Sequence, residues 1–253
     1  MADRQVVWTD SYAVRAHEVA SHGRTSVAAI CNWLQETAGN HATHLGWGIE
    51  GLMGQGMTWV LSRFHLVLDR APAWREQVDV TTWPAGALRL FAVREFRIVA
   101  DGGEELGRAT SGWLLISVAT RRPIRPPEDV ETIGLRTPAR VVDDGFAKLP
   151  EPERAQLERA IQVRYADLDM NGHANNVSVI AWSLEALPGE IALGAALSEL
   201  EVEFRAEALH GDRILVRVQR EAGAAHAFRH ALVREGDGRE IARVRSVWTD
   251  RVR

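Results

Sequence analysis

The chain repeats itself, and a repeat limits the available folds more than any other feature of a sequence. Glu105–Trp113 reads ELGRATSGW, and Glu240–Trp248, 135 residues further on, reads EIARVRSVW, with four of nine positions identical. A second pair of segments recurs at a spacing of 150: Val27, Ile30 and Leu34 match Val177, Ile180 and Leu184. Both triplets follow the i, i+3, i+7 spacing of a helix with one apolar face. The change of spacing places loops of different length in the two copies.

Each half therefore reads as a short strand, one helix and several longer strands. In the first half the expected strands are Tyr12–Val19, Met57–Leu68, Glu76–Trp83, Leu88–Val99 and Leu106–Val118, with a helix over Ser26–Asn40 capped by Thr25 or Ser26. In the second they are Ala160–Tyr165, Leu200–Ala206, Arg213–Arg220, Ala225–Val233 and Ile241–Thr249, with a helix over Asn175–Ala186 ended by Pro188-Gly189. Asp101-Gly102-Gly103 and Glu235–Gly238 occupy matching hairpin turns. Pro123, Pro126, Pro127, Pro138, Pro150 and Pro152 mark a linker, with a short helix expected over Glu151–Arg159. The expected organisation is an α+β domain over residues 1–125, a linker over 126–159 and a second α+β domain over 160–253.

Composition narrows the class of function. With 46% hydrophobic and 25% charged residues, the chain has globular composition. A net charge of −4 argues against a nucleic-acid binder, which usually carries a basic domain. No run of 18 apolar residues predicts a membrane span. The polar start Met1–Gln5 reads as neither signal nor transit peptide, so the expected compartment is the cytoplasm. One cysteine, Cys31, excludes an intrachain disulfide and a cysteine-based zinc cluster. It falls on the apolar pattern of the first helix and is expected in the core.

The densest polar cluster is Asp167–Asn176, DLDMNGHANN, between a strand and the second helix. A carboxylate, an amide and an imidazole at alternate positions (Asp169, Asn171 and His173) suit activation of water and stabilisation of an oxyanion. Backbone N–H groups at the helix start near Gly172 and His173 are expected to add to the oxyanion site. The plainer alternative is that Asp, Asn and Gly serve only as turn and cap residues. At the 150-residue spacing, however, the first half has Val19, Ser21 and Gly23 at these positions. One copy of the turn is thus built without the cluster.

Several motifs in order carry a resemblance to a known family. Asp167–Pro188 resembles the D-L-D-M-N-x-H-x-N-N stretch, followed by a helix ending L-E-x-x-P, of the acyl-acyl carrier protein thioesterases, which include plant FatA and FatB and bacterial relatives. Leu34-Gln35-Glu36, Gly39–Ala42, Pro72-Ala73-Trp74 and Gly107–Ser111 add matches in the first half. The resemblance extends from Tyr12 to Trp248 and implies a double hotdog fold, each half a long helix wrapped by a curved antiparallel sheet. It also implies catalytic roles for Asp169, Asn171 and His173, and for Glu207 on a strand of the second half. Where plant members commonly carry a cysteine after that glutamate, this chain has Ala208, which argues for attack by water rather than by a thiol.

On this reading Glu207, aided by His173, activates water, Asn171 positions the water or the carbonyl, and Asp169 holds the Asn–His geometry. Transient acylation of a carboxylate is a second route. Glu36 and Glu185, helical carboxylates, are fallback bases. Trp33, Met57 and Trp59 are candidate lining residues of an acyl tunnel shaped by the first half. His41 and His44 lack companion ligands, so no metal and no cofactor are expected. Arg121, Arg122 and Arg125 form a basic run able to meet an acidic acyl carrier protein. The implied activity is hydrolysis of fatty acyl-carrier-protein thioesters in fatty acid biosynthesis. An acyl-CoA thioesterase and a non-catalytic acyl-binding hotdog protein are the alternatives. Monomer and homodimer are both open.

Overall fold

The computed structural model describes residues 5–224 and 226–251. The reading of Met1–Arg4 and the expected strand start at Ala225 lie outside the described residues. The chain forms two compact units, Met1–Phe146 and Ala147–Arg253.

In unit 1, β1 (Trp8–Ala13) is followed by a 3-10 turn at Ala16–Glu18 and then by α1 (Val27–Leu45) and α2 (Ile49–Met53). The strands β2 (Met57–Leu68), β3 (Gln77–Leu88), β4 (Phe91–Ala100) and β5 (Glu105–Ser117) come next, and β6 (Pro123–Ile124) and α3 (Glu128–Ile133) close the unit. The strands run β1-β3-β4-β5-β2 with every pairing antiparallel, and β6 adds to β5. Ser26 caps α1 by accepting from the Ala29 N–H. The apolar stripe that predicted α1 is its buried face: Ile30, Trp33, Leu34 and Ala38 are all sealed from solvent. Truncating Ile30 or Leu34 to Ala is worth about 2–5 kcal/mol by the usual cost of a core cavity.

Unit 2 repeats the plan. It contains β7 (Leu157–Gln162), a 3-10 turn at Tyr165–Asp167, α4 (Asn176–Glu185), α5 (Gly189–Gly194), β8 (Ala195–Phe204), β9 (Arg213–Arg220), β10 (Ala227–Arg234) and β11 (Glu240–Asp250). Its antiparallel order β7-β9-β10-β11-β8 is that of unit 1. The 135-residue repeat is β5 and β11, which lie at equivalent places in the strand orders of the two units. Trp113 Nε1–H donates to Ser111 Oγ at 2.9 Å, and Trp248 Nε1–H donates to Ser246 Oγ at 3.0 Å, the same bond in both copies.

Three expectations are corrected. No helix forms over Glu151–Arg159; the chain there is irregular until β7, and the helix of this region is α3. The first strand of each half ends early, because the chain turns into the 3-10 segments at Ala16 and Tyr165. The first helix is 19 residues long and runs on to Leu45, past the expected end at Asn40, whereas the second, 10 residues long, stops ahead of Pro188 as expected. Among the described residues no helix is long and apolar enough to cross a membrane.

The spacing of the second repeat is also corrected, from 150 to 149. Gly23 and Gly172 are the equivalent left-handed turn residues, with φ of 82° and 76°. The Gly23 N–H donates to the Ala20 carbonyl and the Gly172 N–H to that of Asp169. Ser26 and Asn175 are the equivalent helix caps, and Trp33 and Trp182 are buried at the same place on the two helices. One residue of slip went unseen because apolar periodicity fixes which face of a helix is buried more strongly than it fixes register.

Candidate active site

The site grows from a strand-like turn in unit 2. The Asp169 N–H donates to the His173 carbonyl at 2.7 Å, closing the turn 169–173 around Gly172. The Ala174 N–H donates to the Ala208 carbonyl at 2.8 Å, and His173 pairs antiparallel with Leu209. Directly paired residues of antiparallel segments project to one face, and residues two apart along an extended segment do the same. Glu207 therefore shares the face of His173, and the His173 Nε2–Glu207 Oε2 distance is 3.3 Å. Their side chains are 35% and 37% exposed, so the pair is open to water and to a ligand.

Asp169 acts beneath this pair. Its Oδ1 accepts from the N–H groups of Asn171 (2.8 Å) and His173 (3.2 Å), and its Oδ2 from the Asn171 side-chain amide (3.4 Å). The carboxylate thus ties Asn171 and His173 to one anchor through their backbone as well as a side chain. The structure brings Asp169, Asn171, His173 and Glu207 together.

The expected oxyanion donors are corrected. The N–H groups of Asn171, Gly172 and His173 all donate within the turn, to Asp169 Oδ1 or the Asp169 carbonyl, and those of Ala174 and Asn175 to the carbonyls of Ala208 and Asp167. These backbone groups are occupied, and each N–H carries a single hydrogen. The side-chain donors beside them are the Asn171 amide, with two N–H bonds, and the His173 ring.

Two supporting groups carry no assigned role in the sequence reading. Asp167 is buried and held by Arg164, whose Nε and Nη2 donate at 3.1 and 2.8 Å, and the guanidinium keeps its carboxyl below the usual carboxylate range. This brace fixes the chain just ahead of the site. Its sequence signal was the three-residue Arg–acid spacing, which Arg15 and Glu18 repeat in unit 1. Arg234, on β10, donates to the Glu207 carbonyl at 3.3 Å and to Asp212 at 3.2 Å. Nothing in the sequence near Glu207 announces that contact.

The other candidates lie elsewhere. Glu36 is exposed on α1, and Glu185 is exposed and paired with Arg159. Cys31 is buried and burial pushes its thiol up to about 12, so it is a core residue and no nucleophile. Ala208, at the family's cysteine position, is buried and contributes its carbonyl to the turn. In unit 1 Trp33 is buried, stacked on Tyr12 with ring centroids 5.4 Å apart, and donates to Glu18 at 2.8 Å. Trp59, half-buried on β2 with Met57, donates to the Trp47 carbonyl at 3.1 Å. The three tunnel candidates thus divide between two settings, one on α1 and one at the start of β2. His41 is sealed between Gln5 and Arg94: its Nε2 lies 3.1 Å from the Gln5 carbonyl, and Arg94 donates to its Nδ1 at 3.0 Å. Burial pushes its pKa down to about 4. That leaves no ring nitrogen for a metal. Of the basic run, Arg125 is paired with Glu131 at 2.8 Å, which offsets its charge.

Comparison with known proteins places the chain in a family. The acyl-ACP thioesterase N-terminal domain family model matches residues 5–133 and the C-terminal domain model matches residues 150–250. The chain is 31% identical to the oleoyl-acyl carrier protein thioesterase 1 of Arabidopsis thaliana, over 95% of this chain and 75% of that one. It is 29% identical to the palmitoyl-acyl carrier protein thioesterase of Cuphea hookeriana, over 96% of this chain and 62% of that one. Both of those plant proteins are chloroplastic. Among solved structures, a 12:0-ACP thioesterase from Umbellularia californica superposes with a TM-score of 0.86 at 27% identity, covering 99% of this chain and 100% of that one. An acyl-ACP thioesterase from Bacteroides thetaiotaomicron gives 0.80 at 26% identity, covering 96% and 98%. The fold is the double hotdog. Matched in both halves by its models, the chain belongs to the acyl-ACP thioesterase family and is a thioester hydrolase.

Proposed function

We propose that the chain releases free fatty acid from acyl carrier protein in cytoplasmic fatty acid biosynthesis, by direct attack of water at the His173–Glu207 pair. The single observation that carries the mechanism is the 3.3 Å contact between His173 Nε2 and Glu207 Oε2 on the open face of the turn. A thioester is already activated, so the protein needs a positioned base and donors for the developing oxyanion. Glu207, with His173 against it, takes a proton from water as the water oxygen bonds to the acyl carbon. The Asn171 amide donates to the carbonyl oxygen as it gains charge. The C–S bond then breaks, and the proton held by the pair passes to the departing thiolate. Asp169 keeps Asn171 and His173 in register through the turn. A neutral Ala at 208 and a buried Cys31 offer no alternative thiol.

The test is release of free thiol from acyl-carrier-protein and acyl-CoA substrates of varied chain length, with His173→Ala as control. Preference for the carrier-protein thioesters, lost in the control, is the expected result. Preference for CoA would keep the site and replace the donor. Turnover undiminished in the control would overturn the mechanism.

A further inference from the structure

The turn that holds the site, the 3-10 segment before it and the segment paired with it carry three large apolar side chains that the unit's own packing does not use. Tyr165 and Met170 are each 84% exposed, and Leu209 is 43% exposed. Scattered exposed hydrophobic residues are ordinary on a protein surface. These are not scattered. Among the described residues of unit 2, five large hydrophobic side chains are exposed, and three of them lie on the 3-10 segment, the turn after it and the segment paired with that turn. The Tyr165 carbonyl accepts from the Leu168 N–H, Met170 lies between Asp169 and Asn171, and Leu209 pairs with His173. Pairing puts the Leu209 side chain on the face of the imidazole.

Unit 1 supplies an internal control. Its turn has the same backbone: a bridge from Val19 to Thr25 matches that from Leu168 to Ala174, and a bridge from Arg24 to Ala73 matches that from His173 to Leu209. The positions of Tyr165, Met170 and Leu209 are taken there by Ala16, Ser21 and Ala73. The fold therefore needs no bulk at these sites. At these three positions the bulk accompanies the site residues, and the one large exposed side chain of the equivalent unit 1 segment, Trp74, sits one residue further on.

We propose that Tyr165, Met170 and Leu209 hold the pantetheine arm of the thioester against the rim of the site, which makes them substrate-positioning residues. This rests on the thioesterase reading above. A thioester whose acyl carbon lies at His173–Glu207 must lead its arm away from the sulfur across the neighbouring surface. The arm is an uncharged chain with two amides and a geminal dimethyl group. Exposed aliphatic and aromatic side chains match its methyl-bearing stretch, and area removed from water supplies the affinity.

The experiment installs unit 1's own residues, Tyr165→Ala, Met170→Ser and Leu209→Ala, singly and together, with thermal unfolding to confirm the fold. Each protein is assayed on three thioesters of one acyl group: the carrier protein, CoA, and N-acetylcysteamine, which lacks most of the arm. In the triple variant kcat/KM for the carrier-protein and CoA thioesters is expected to fall about tenfold relative to that for the truncated thioester, chiefly through KM. A fall confined to the carrier-protein substrate would overturn the proposal and assign the surface to the body of the carrier. An equal fall on all three, or no fall, would also overturn it. Wild-type protein that leaves all three intact would instead overturn the thioesterase reading, a result separate from any behaviour of the variants.

Discussion

Two turns of one backbone design, 20–26 in unit 1 and 169–175 in unit 2, differ in nearly every side chain that chemistry could use. Both are closed by matching hydrogen bonds, Ala20 N–H to Arg24 and Asp169 N–H to His173, and both deliver the chain to a capped helix. Where unit 2 has Asp169, Asn171 and His173, unit 1 has Ala20, His22 and Arg24. The position of Glu207 is taken by Ala71, as the matched bonds Thr25 N–H to Pro72 and Ala174 N–H to Ala208 require. The turn is a structural solution shared by both units, and the proposed reacting groups are an addition to one of them.

The largest expected effect tests that difference. His173→Ala and Glu207→Ala should each lower kcat/KM by about 10²–10⁴, the usual worth of a general base, with little change in thermal stability. Arg24→Ala, at the counterpart of His173, should change kcat/KM less than twofold. An equal loss from Arg24→Ala would break the comparison.

A smaller effect compares the two units through the histidine each buries. His41 in unit 1 and His230 in unit 2 are sealed, and burial lowers each pKa to about 4. The folded state therefore favours the neutral ring. The stability this gives is complete above the unfolded histidine range near pH 6.5 and is lost as pH falls from there toward 4. Each contributes on the order of 3 kcal/mol of acid sensitivity. Urea unfolding at pH 7.5 and 4.5 should show that slope in the wild type and a shallower one in His230→Gln and in His41→Gln. An unchanged slope in both variants would refute the assignment.

Asp169→Ala should cost about 1–2 kcal/mol of stability by removing the acceptor for three N–H bonds, and should lower activity as well. Asp169→Asn, which keeps an acceptor oxygen, should recover most of the stability. Because unit 1 forms its turn with Ala20, complete unfolding of Asp169→Ala would show that the two turns are held differently. The smallest effect is shared: Gly23→Ala and Gly172→Ala each force a side chain into the left-handed region for about 1 kcal/mol, with open space around both. Calorimetry should find the two costs alike, and only Gly172→Ala should slow turnover.

Much of this was legible in the sequence. The two-copy plan followed from repeated apolar spacing and turn residues, and β2 and β9 begin and end where their patterns do. Proline and acidic residues over Glu151–Arg159 read as a helix start, yet that segment is held by specific bonds such as Gln219 Oε1 accepting from the Glu153 N–H, which no local pattern encodes. Asp169, Asn171 and His173 stood out as a polar cluster ahead of a helix, and Glu207 was singled out only through the family resemblance. Their assembly was not legible, because Glu207 reaches His173 through a pairing across 36 residues of sequence. The mistaken oxyanion donors have a similar origin. A free N–H at a helix start is a sound default, but here Asp169 turns its own carboxylate back onto the turn.

Cys31 has a practical consequence. The chain's single thiol lies in the core of unit 1, and its ionisation is displaced far above neutral pH. The folded protein is accordingly silent toward thiol reagents while remaining one thiol short of inert. A colorimetric disulfide reagent added to a working reaction records only the carrier's newly released sulfhydryl. In the same cuvette, the appearance of one further equivalent of label per chain marks the moment the protein itself opens.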